Sequence, residues 1–257
     1  MIETSNQVLR KLVIFTKFYL LVLCISLTAC QTDRRLKRVD PEISTKLYEI
    51  LEDVDKMLNE ASITYWLAYG SLLGAIRHGG IIPWDDDVDL AFFEEDIVAL
   101  KQLGAKLESK GYFLCDLKYY FKICPKNGKH PSDKDGNAYS WTSPHIDLFP
   151  MKRDGAFIYP IDHELKTIHS VRRWFEASDI DSGLIIVPFG NLFLPIPRNS
   201  EFYLKGGFGS DVFTSAHRDY DHMNERHVKS RKVRLVTFDP APDLRANCRS
   251  HTKKNKK

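Results

Sequence analysis

An acidic run inside an apolar stretch is the feature that most restricts the fold of this chain. Residues 83–90 read PWDDDVDL, with isoleucine before them and phenylalanine after them. Alternate side chains of a β-strand share one face, so a strand here directs Asp85, Asp87 and Asp89 one way and Asp86 the other. Three like charges on a partly buried face must become protonated, stay hydrated or bind a cation. The run therefore predicts a strand that carries a metal site.

Two other structures can produce an acidic run. A hydrated acidic turn is disfavoured, because exposed turns seldom carry so many large apolar neighbours. A calcium-binding EF-hand loop starting at Asp85 is excluded, because Leu90 would stand where glycine is needed and Asp96 where glutamate is expected. Hard carboxylate ligands suit Mg²⁺, or Mn²⁺, held together with substrate phosphates. One of these ions is the predicted cofactor.

A glycine–serine pair precedes the acidic run. Gly70 and Ser71 separate a predicted strand at 64–69 from a predicted short helix at 72–77. Backbone N–H groups at a helix N-terminus can bind phosphate. Such a pair is more often an ordinary turn, but beside a cation site it predicts an anion pocket for phosphoryl chemistry.

A further carboxylate lies in a second apolar strand, where residues 145–150 read HIDLFP. Alternation places Asp147 on the face opposite to its neighbours Ile146 and Leu148. An aspartate at a strand end is more often structural. Together with the acidic run, however, Asp147 could complete a metal site or accept a proton from the acceptor. We therefore expect this strand beside the 88–93 strand, with Asp147 on the face of Asp87 and Asp89.

Hydrophobic periodicity predicts the other elements. A helix is expected from Asp40, as N-cap, to about Glu60. The remaining predictions are a helix at about 96–110, one or two strands at 112–124, an exposed loop at 125–140 and a short helix near 197–205. This order predicts an α/β (α+β) domain in which helices flank a small mixed sheet.

Residues 65–89 resemble the signature of the LicD/fukutin/fukutin-related family, whose members are similar to DNA-polymerase-β-like nucleotidyltransferases. Residues 145–150 also match, as does the 190–209 region with its PIP at 195–197 and FG at 208–209. The resemblance covers residues 46–222. It implies a nucleotidyltransferase fold.

The resemblance also implies a reaction. A phospho-alcohol, of the phosphocholine or ribitol phosphate type, is expected to pass from a CDP-activated donor to a glycan hydroxyl. The alternatives are transfer of the nucleotide itself to an acceptor, and a non-catalytic glycan-binding lipoprotein that keeps the fold. The implied site residues form three groups, of which the first two overlap: catalytic Asp85, Asp87, Asp89 and Asp147; metal-binding Asp87, Asp89 and Asp147; and substrate-binding Gly70, Ser71, Arg77 and His78.

The N-terminus predicts targeting to a membrane. Its apolar run, Phe18 to Ala29, is shorter than the ~20 residues that span a bilayer and has the length of a signal-peptide core. The run ends in LTAC, which resembles a lipobox with Cys30 as the lipidation and cleavage site. A type II signal anchor from Leu12 to Ala29 would bury Lys17 at a cost. We expect a lipoprotein of a bacterial envelope, with a Golgi-like signal-anchored protein as the alternative.

The net charge and the cysteines restrict the possible partners and cross-links of the chain. The net charge of +3 comes from basic residues clustered at both ends, so nucleic-acid binding is not predicted. Cys115 and Cys124 are either bridged or separate core thiols. The predicted organisation is a signal peptide or anchor at 1–30, a polar spacer at 31–45, the LicD-like domain at 46–222 and a basic tail at 223–257.

Overall fold

A computed structural model describes residues 36, 38–133, 135–161, 174–221 and 226–235. The predicted targeting segment with Cys30, residues 31–35 of the spacer and residues 236–257 of the tail lie outside the described residues. Within the described ranges, no helix is both long enough and apolar enough to cross a bilayer.

The first helix of the described ranges, α1, spans Pro41–Glu60 and thus begins before the predicted domain start at residue 46. Its N-cap is the predicted one, since a carboxylate oxygen of Asp40 accepts the backbone N–H of Glu42 at 3.0 Å. Apolar side chains at helical spacing form its buried face, namely Leu47, Ile50, Leu51, Val54, Met57 and Leu58. This face packs toward the centre of the sheet, against β2 and β5, which are defined next.

The sheet is mixed, as predicted. Its strands are β1 (Tyr65–Leu67), β2 (Asp87–Phe93), β3 (Tyr112–Asp116), β4 (Phe121–Pro125), β5 (His145–Asp154), β6 (Phe157–Pro160) and β7 (Phe175–Glu176). The strand order is β1-β2-β5-β4-β3, and β6 pairs with the far end of β5 and with β7. Only β2 and β5 run parallel among these pairs of the described sheet. That parallel pair lies at its centre.

Helix α2, Tyr69–His78, connects β1 to the acidic run and ends at Gly79 in the left-handed conformation with φ of 69°. The single helix predicted at 96–110 is wrong. The chain forms a 3₁₀ turn at Glu94–Asp96, then α3 (Ile97–Gln102) and α4 (Gly104–Ser109). The break falls at Leu103, whose N–H donates to the carbonyl of Leu100 in a tighter turn at 3.1 Å, and Gly104 opens the second helix.

The C-terminal part consists of short elements. They are α5 (Ala177–Asp181), a hairpin of β8 (Ile185–Phe189) and β9 (Leu192–Ile196), α6 (Ser200–Phe208), and a hairpin of β10 (Ser215–Asp221) and β11 (Arg226–Arg234). The helix predicted near 197–205 is therefore present, shifted by a few residues. Cys115 and Cys124 are buried free thiols, which matches the second of the two alternatives.

Candidate active site

The register between β2 and β5 assembles the site. Asp87 pairs with His145, and Asp89 pairs with Asp147. Paired residues of neighbouring strands point to the same side of a sheet, so these polar side chains share one face. The intervening residues Val88, Leu90, Ile146 and Leu148 are fully buried on the other face. The prediction that the Asp147 strand lies beside the acidic strand, with Asp147 on the face of Asp87 and Asp89, is confirmed.

Asp87, His145 and Asp147 form a compact group of possible metal ligands. One ligand atom from each lies within 4.8 Å of the others, and all three side chains are buried. Two buried carboxylates so close together need a positive partner. The group fits a divalent cation, because its donors are carboxylate oxygen and imidazole nitrogen and because Nδ1 of His145 has no hydrogen-bond partner in the described part of the chain.

The positive charge that the structure supplies is Lys122. This residue lies on β4 opposite Asp147, and its Nζ is 2.8 and 3.0 Å from the two carboxylate oxygens of Asp147. Nζ also lies 2.7 Å from Nε2 of His145. The side chain of Lys122 is only 5% exposed. A metal bound by His145 and Asp147 would therefore share these ligands with the Lys122 ammonium.

The ion pair between Lys122 and Asp147 keeps both side chains charged. Burial alone would raise the pKa of Asp147, but the charge of Lys122 outweighs it and holds the pKa well below the usual range of an aspartate. Burial likewise opposes the charged form of Lys122, yet attraction by Asp147 raises the pKa of Lys122 above that of a free lysine. Asp147 is therefore an ionised carboxylate that can bind a cation but is a poor proton acceptor near neutral pH.

Asp89 faces the start of α2. Its Oδ2 accepts the backbone N–H groups of Gly70 at 3.0 Å and Ser71 at 3.4 Å. In return, Oγ of Ser71 accepts the backbone N–H of Asp89 at 2.8 Å. The N–H groups predicted to cradle a phosphate are thus used by a carboxylate of the protein. Asp89 is not one of the three grouped residues, although it pairs with Asp147, and its role as a metal ligand stays a prediction.

The turn before β2 corrects one geometric prediction. Asp85 does not share a strand face with Asp87, because β2 begins at Asp87 and the N–H of Asp85 instead donates to the carbonyl of Ile82 in a turn. Even so, Asp85 lies beside Asp89, since a Cβ placed on Gly70 would be 3.0 Å from Oδ2 of Asp85 and 3.2 Å from Oδ2 of Asp89. A Cβ at Gly70 would therefore fit only if these carboxylates shifted slightly.

Arg77 and His78, the predicted substrate-binding side chains, have partners within the protein. Nε of Arg77 donates to Nε2 of His78 at 2.8 Å, and its Nη1 donates to the carbonyls of Val212 and Ser215. Burial and the charge of Arg77 lower the pKa of His78 to about 3, so the imidazole is neutral. These contacts join α2 to the start of β10 and the residues just before it. A contact of either side chain with a donor phosphate stays a prediction.

Aromatic rings line the Lys122 side of the site. Nζ of Lys122 lies 4.4 Å from the centroid of the Trp141 ring and 5.5 Å from that of Tyr120. Trp141 also meets the ring of His145 edge-on at 4.6 Å. These rings keep the charges of the site away from water, which strengthens the electrostatic interactions within it.

Two residues of the site were not foreseen as such. His145 stands two residues before Asp147, and the same alternation that placed Asp147 could have identified it. Lys122 stands between the buried residues Phe121 and Ile123. A lysine inside an apolar strand is a sign of a buried ion pair, but the sequence does not show which carboxylate it meets.

Comparison with protein families matches residues 62–199 to the family described as LicD/FKTN/FKRP, nucleotidyltransferase domain. The matched range contains every predicted and observed site residue.

Curated relatives share parts of this range. Human "Ribitol 5-phosphate transferase FKRP" is 45% identical over 176 residues, which is 65% of this chain and 32% of that protein. "Lipopolysaccharide cholinephosphotransferase LicD" of Haemophilus influenzae is 43% identical over 47 residues, 18% of either chain. An uncharacterized protein of Rickettsia prowazekii, RP689, is 37% identical over 97 residues, 37% of this chain and 36% of that protein. The chain thus spans about a third of the length of the first relatives.

Solved structures give distant similarities. The lincomycin-bound lincosamide antibiotic adenylyltransferase LnuA is 15% identical, with a TM-score of 0.35, over 65% of this chain and 85% of that one. The antibiotic-resistance factor ANT(2'')-Ia is 18% identical, with a TM-score of 0.33, over 52% of this chain and 62% of that one.

Proposed function

The chain belongs to the LicD/FKTN/FKRP family of nucleotidyltransferase domains, and from this premise we propose that it is a metal-dependent transferase of a phosphate-linked alcohol. The donor would be a CDP-activated alcohol, and the acceptor a glycan hydroxyl. The relatives named as ribitol 5-phosphate and cholinephosphate transferases support this class of group. Because the chain spans only a part of the length of those relatives, their names do not establish its substrates, and the donor and the acceptor are our proposal.

The observation that carries the proposal is the parallel register of β2 and β5. It brings Asp87, His145 and Asp147 into one buried group although Asp87 and His145 are far apart in the sequence. Phosphoryl transfer is catalysed mainly by positioning and by compensating negative charge. A buried group of two carboxylates, an imidazole and a lysine is suited to that task.

Each side chain has a proposed part. Mg²⁺ or Mn²⁺ would be held by Asp87, His145 and Asp147 and would neutralise charge on the transferred phosphate. Lys122 keeps Asp147 ionised and fixes its carboxylate through two contacts. Since the pKa of Asp147 is lowered, we assign Asp147 a ligand role and not that of the base for the acceptor hydroxyl.

Asp89 and Asp85 organise the neighbouring loop. Asp89 accepts N–H groups at the start of α2, where the helix dipole favours a negative charge. Gly70 leaves both carboxylates room to lie side by side. We propose that this arrangement fixes α2 against β2, so that the start of the helix borders the metal group in a single geometry.

Release of CMP tests the reaction. The full-length protein is incubated with CDP-choline or CDP-ribitol, a candidate glycan and Mg²⁺, and CMP and product mass are measured. CMP release that depends on metal and is lost in Asp87→Asn supports the proposal; Asp116→Asn, in an exposed ion pair, is the matched control. A product carrying the whole nucleotide would show nucleotidyl transfer instead. Metal-dependent donor binding without any product would show a non-catalytic binding protein.

The location in a bacterial envelope is proposed from the sequence alone. The lipobox-like LTAC at 27–30 supports cleavage before Cys30 and its lipidation. Intact-mass measurement of membrane-extracted protein tests this, because a mature chain that retains Met1 would mean a signal anchor.

A further inference from the structure

The β8–β9 hairpin is apolar on both faces. Its residues 185–196 read IIVPFGNLFLPI, which contains no charged side chain. In the register, Ile186 pairs with Pro195 and Pro188 with Phe193, so these residues share one face. A hairpin with one face on the core normally carries polar residues on the other face. Here the outer face is as apolar as the inner one.

Within the described residues, the inner face of the hairpin packs on the protein except at Ile185, which is 37% exposed at its edge. Phe189, Leu194 and Ile196 are buried in the core. On the outer face, Ile186 is 60% and Phe193 is 42% exposed within the described part of the chain. Pro188 and Pro195 add apolar side chains to this face and have no backbone N–H that needs a partner at an edge of the hairpin. A contiguous apolar surface of this kind marks a contact with a protein or a membrane.

The hairpin lies beside the point where the chain enters the domain. Its turn is held by a hydrogen bond from the N–H of Gly190 to the carbonyl of Gly79, at 2.7 Å. A few residues further on, the carbonyl of Pro83 accepts the N–H of Val39 at 2.9 Å. The segment 79–83 therefore connects the turn of the hairpin to the start of the described domain.

The sequence before Val39 indicates what covers this face. Residues 1–35 lie outside the described part, and they include the apolar run at 18–29. Between that run and the domain, four basic residues occur, at 34, 35, 37 and 38. Basic residues next to a membrane anchor are attracted to anionic lipid headgroups. An anchor and a basic segment at this entry would bring the domain to a bilayer on the side of the hairpin.

We propose that the outer face of the β8–β9 hairpin lies in the interfacial layer of an anionic lipid bilayer, as a second membrane contact besides the N-terminus. Ile186 and Phe193 enter the boundary between headgroups and acyl chains, where apolar side chains leave water. The contact fixes the orientation of the domain on the membrane. It is independent of the proposed reaction, because none of its residues belongs to the metal group.

Quenching by brominated lipids tests this contact. Full-length Phe193→Trp is reconstituted in vesicles of phosphatidylcholine and phosphatidylglycerol with brominated acyl chains. The matched control is Val98→Trp on α3, an exposed site with a side chain 66% accessible. The wild type, which has four tryptophans, supplies the background fluorescence. Above that background, the tryptophan introduced in the hairpin should lose its fluorescence in the brominated vesicles, and the one introduced on α3 should keep it.

Three results would overturn the proposal. Equal quenching at both sites, or none at either, would show that the hairpin has no preferred contact with lipid. A blue-shifted emission from the hairpin tryptophan that bromine does not quench would mean that protein covers the face. In that case, a change in sedimentation of detergent-solubilised Phe193→Ser from dimer to monomer would identify a second copy, and unchanged sedimentation would identify a segment of the same chain. Thermal unfolding checks that each variant is folded.

Discussion

Lys122 lies directly across from Asp147 on neighbouring antiparallel strands, and its ammonium contacts both oxygens of that carboxylate while it is almost completely buried. The same carboxylate belongs to the group suited to a metal. The site therefore contains its own cation before any metal binds. Several predictions about stability and metal binding depend on this competition between ammonium and metal for one carboxylate.

Lys122→Met should destabilise the metal-free protein by about 3–5 kcal/mol, because it leaves Asp147 as a buried charge without its ammonium. Mn²⁺ should restore part of that loss, since a bound cation replaces the missing charge. Denaturant unfolding with and without Mn²⁺ measures both effects. The control is Lys101→Met, whose ion pair with Asp116 is half exposed and should contribute less than about 1 kcal/mol. Equal losses in the two variants would contradict the importance of the buried pair.

Acid should weaken the wild-type protein through the same pair. The folded-state pKa of Asp147 lies below the value near 3.9 of a free aspartate, so its contribution is complete above about pH 4 and is lost as the pH falls through the folded-state pKa. In Lys122→Met, burial raises the pKa of Asp147, and the sign of this contribution reverses. The free energy of unfolding measured between pH 2 and pH 7 should therefore fall less steeply with acid in the variant.

His145→Gln should weaken Mn²⁺ binding and slow CMP release by at least about tenfold, because glutamine lacks the imidazole nitrogen that the group offers. The metal-free stability should change little compared with the effect of Lys122→Met. Calorimetric titration with Mn²⁺ measures the affinity. His130→Gln, at an exposed histidine, serves as the matched control. Unchanged Mn²⁺ affinity in His145→Gln would remove His145 from the ligand set.

Gly70→Ala should impair CMP release more than stability. The new Cβ would lie 3.0 Å from Oδ2 of Asp85 and 3.2 Å from Oδ2 of Asp89, so these carboxylates must shift slightly from their present positions. Gly104→Ala is the matched control, since nothing lies within 4 Å of its Cβ position and alanine favours a helix. Turnover and thermal unfolding are measured for both. Full activity of Gly70→Ala would show that the carboxylate positions are not critical.

Asp89→Asn should reduce the stability of the metal-free protein by about 0.3–1 kcal/mol, because the charge at the start of α2 is lost while an acceptor oxygen remains. From charge repulsion in the acidic run alone, the same substitution would be expected to leave the metal-free protein unchanged or slightly more stable. Asp89→Ala should cost more, about 1–3 kcal/mol, since the partly buried N–H of Gly70 loses its acceptor. Denaturant unfolding separates these expectations, with Asp154→Asn at an exposed position as the control.

Local patterns of the sequence were enough to predict most elements, and the resemblance of residues 65–89 to a known signature indicated the family. The cap at Asp40, the helical spacing through α1, and the alternation through β2 and the start of β5 are each set by interactions between close neighbours in the chain. The break at Leu103 was missed, because the apolar spacing of the sequence continues across it. The strand face predicted for the carboxylate side chains is right for Asp87 and wrong for Asp85, which lies in a turn.

The partners of each charge were decided by the tertiary structure. The sequence by itself determined that Asp87, Asp89 and Asp147 stand on strands with apolar neighbours, since strand periodicity fixes which face a side chain takes. It could not determine that Asp89 turns to the start of α2 or that Lys122 reaches Asp147, because those contacts join segments brought together only by the pairing of β2, β5 and β4. A charge that must be buried takes whichever partner the fold places nearest, and that choice is made in three dimensions.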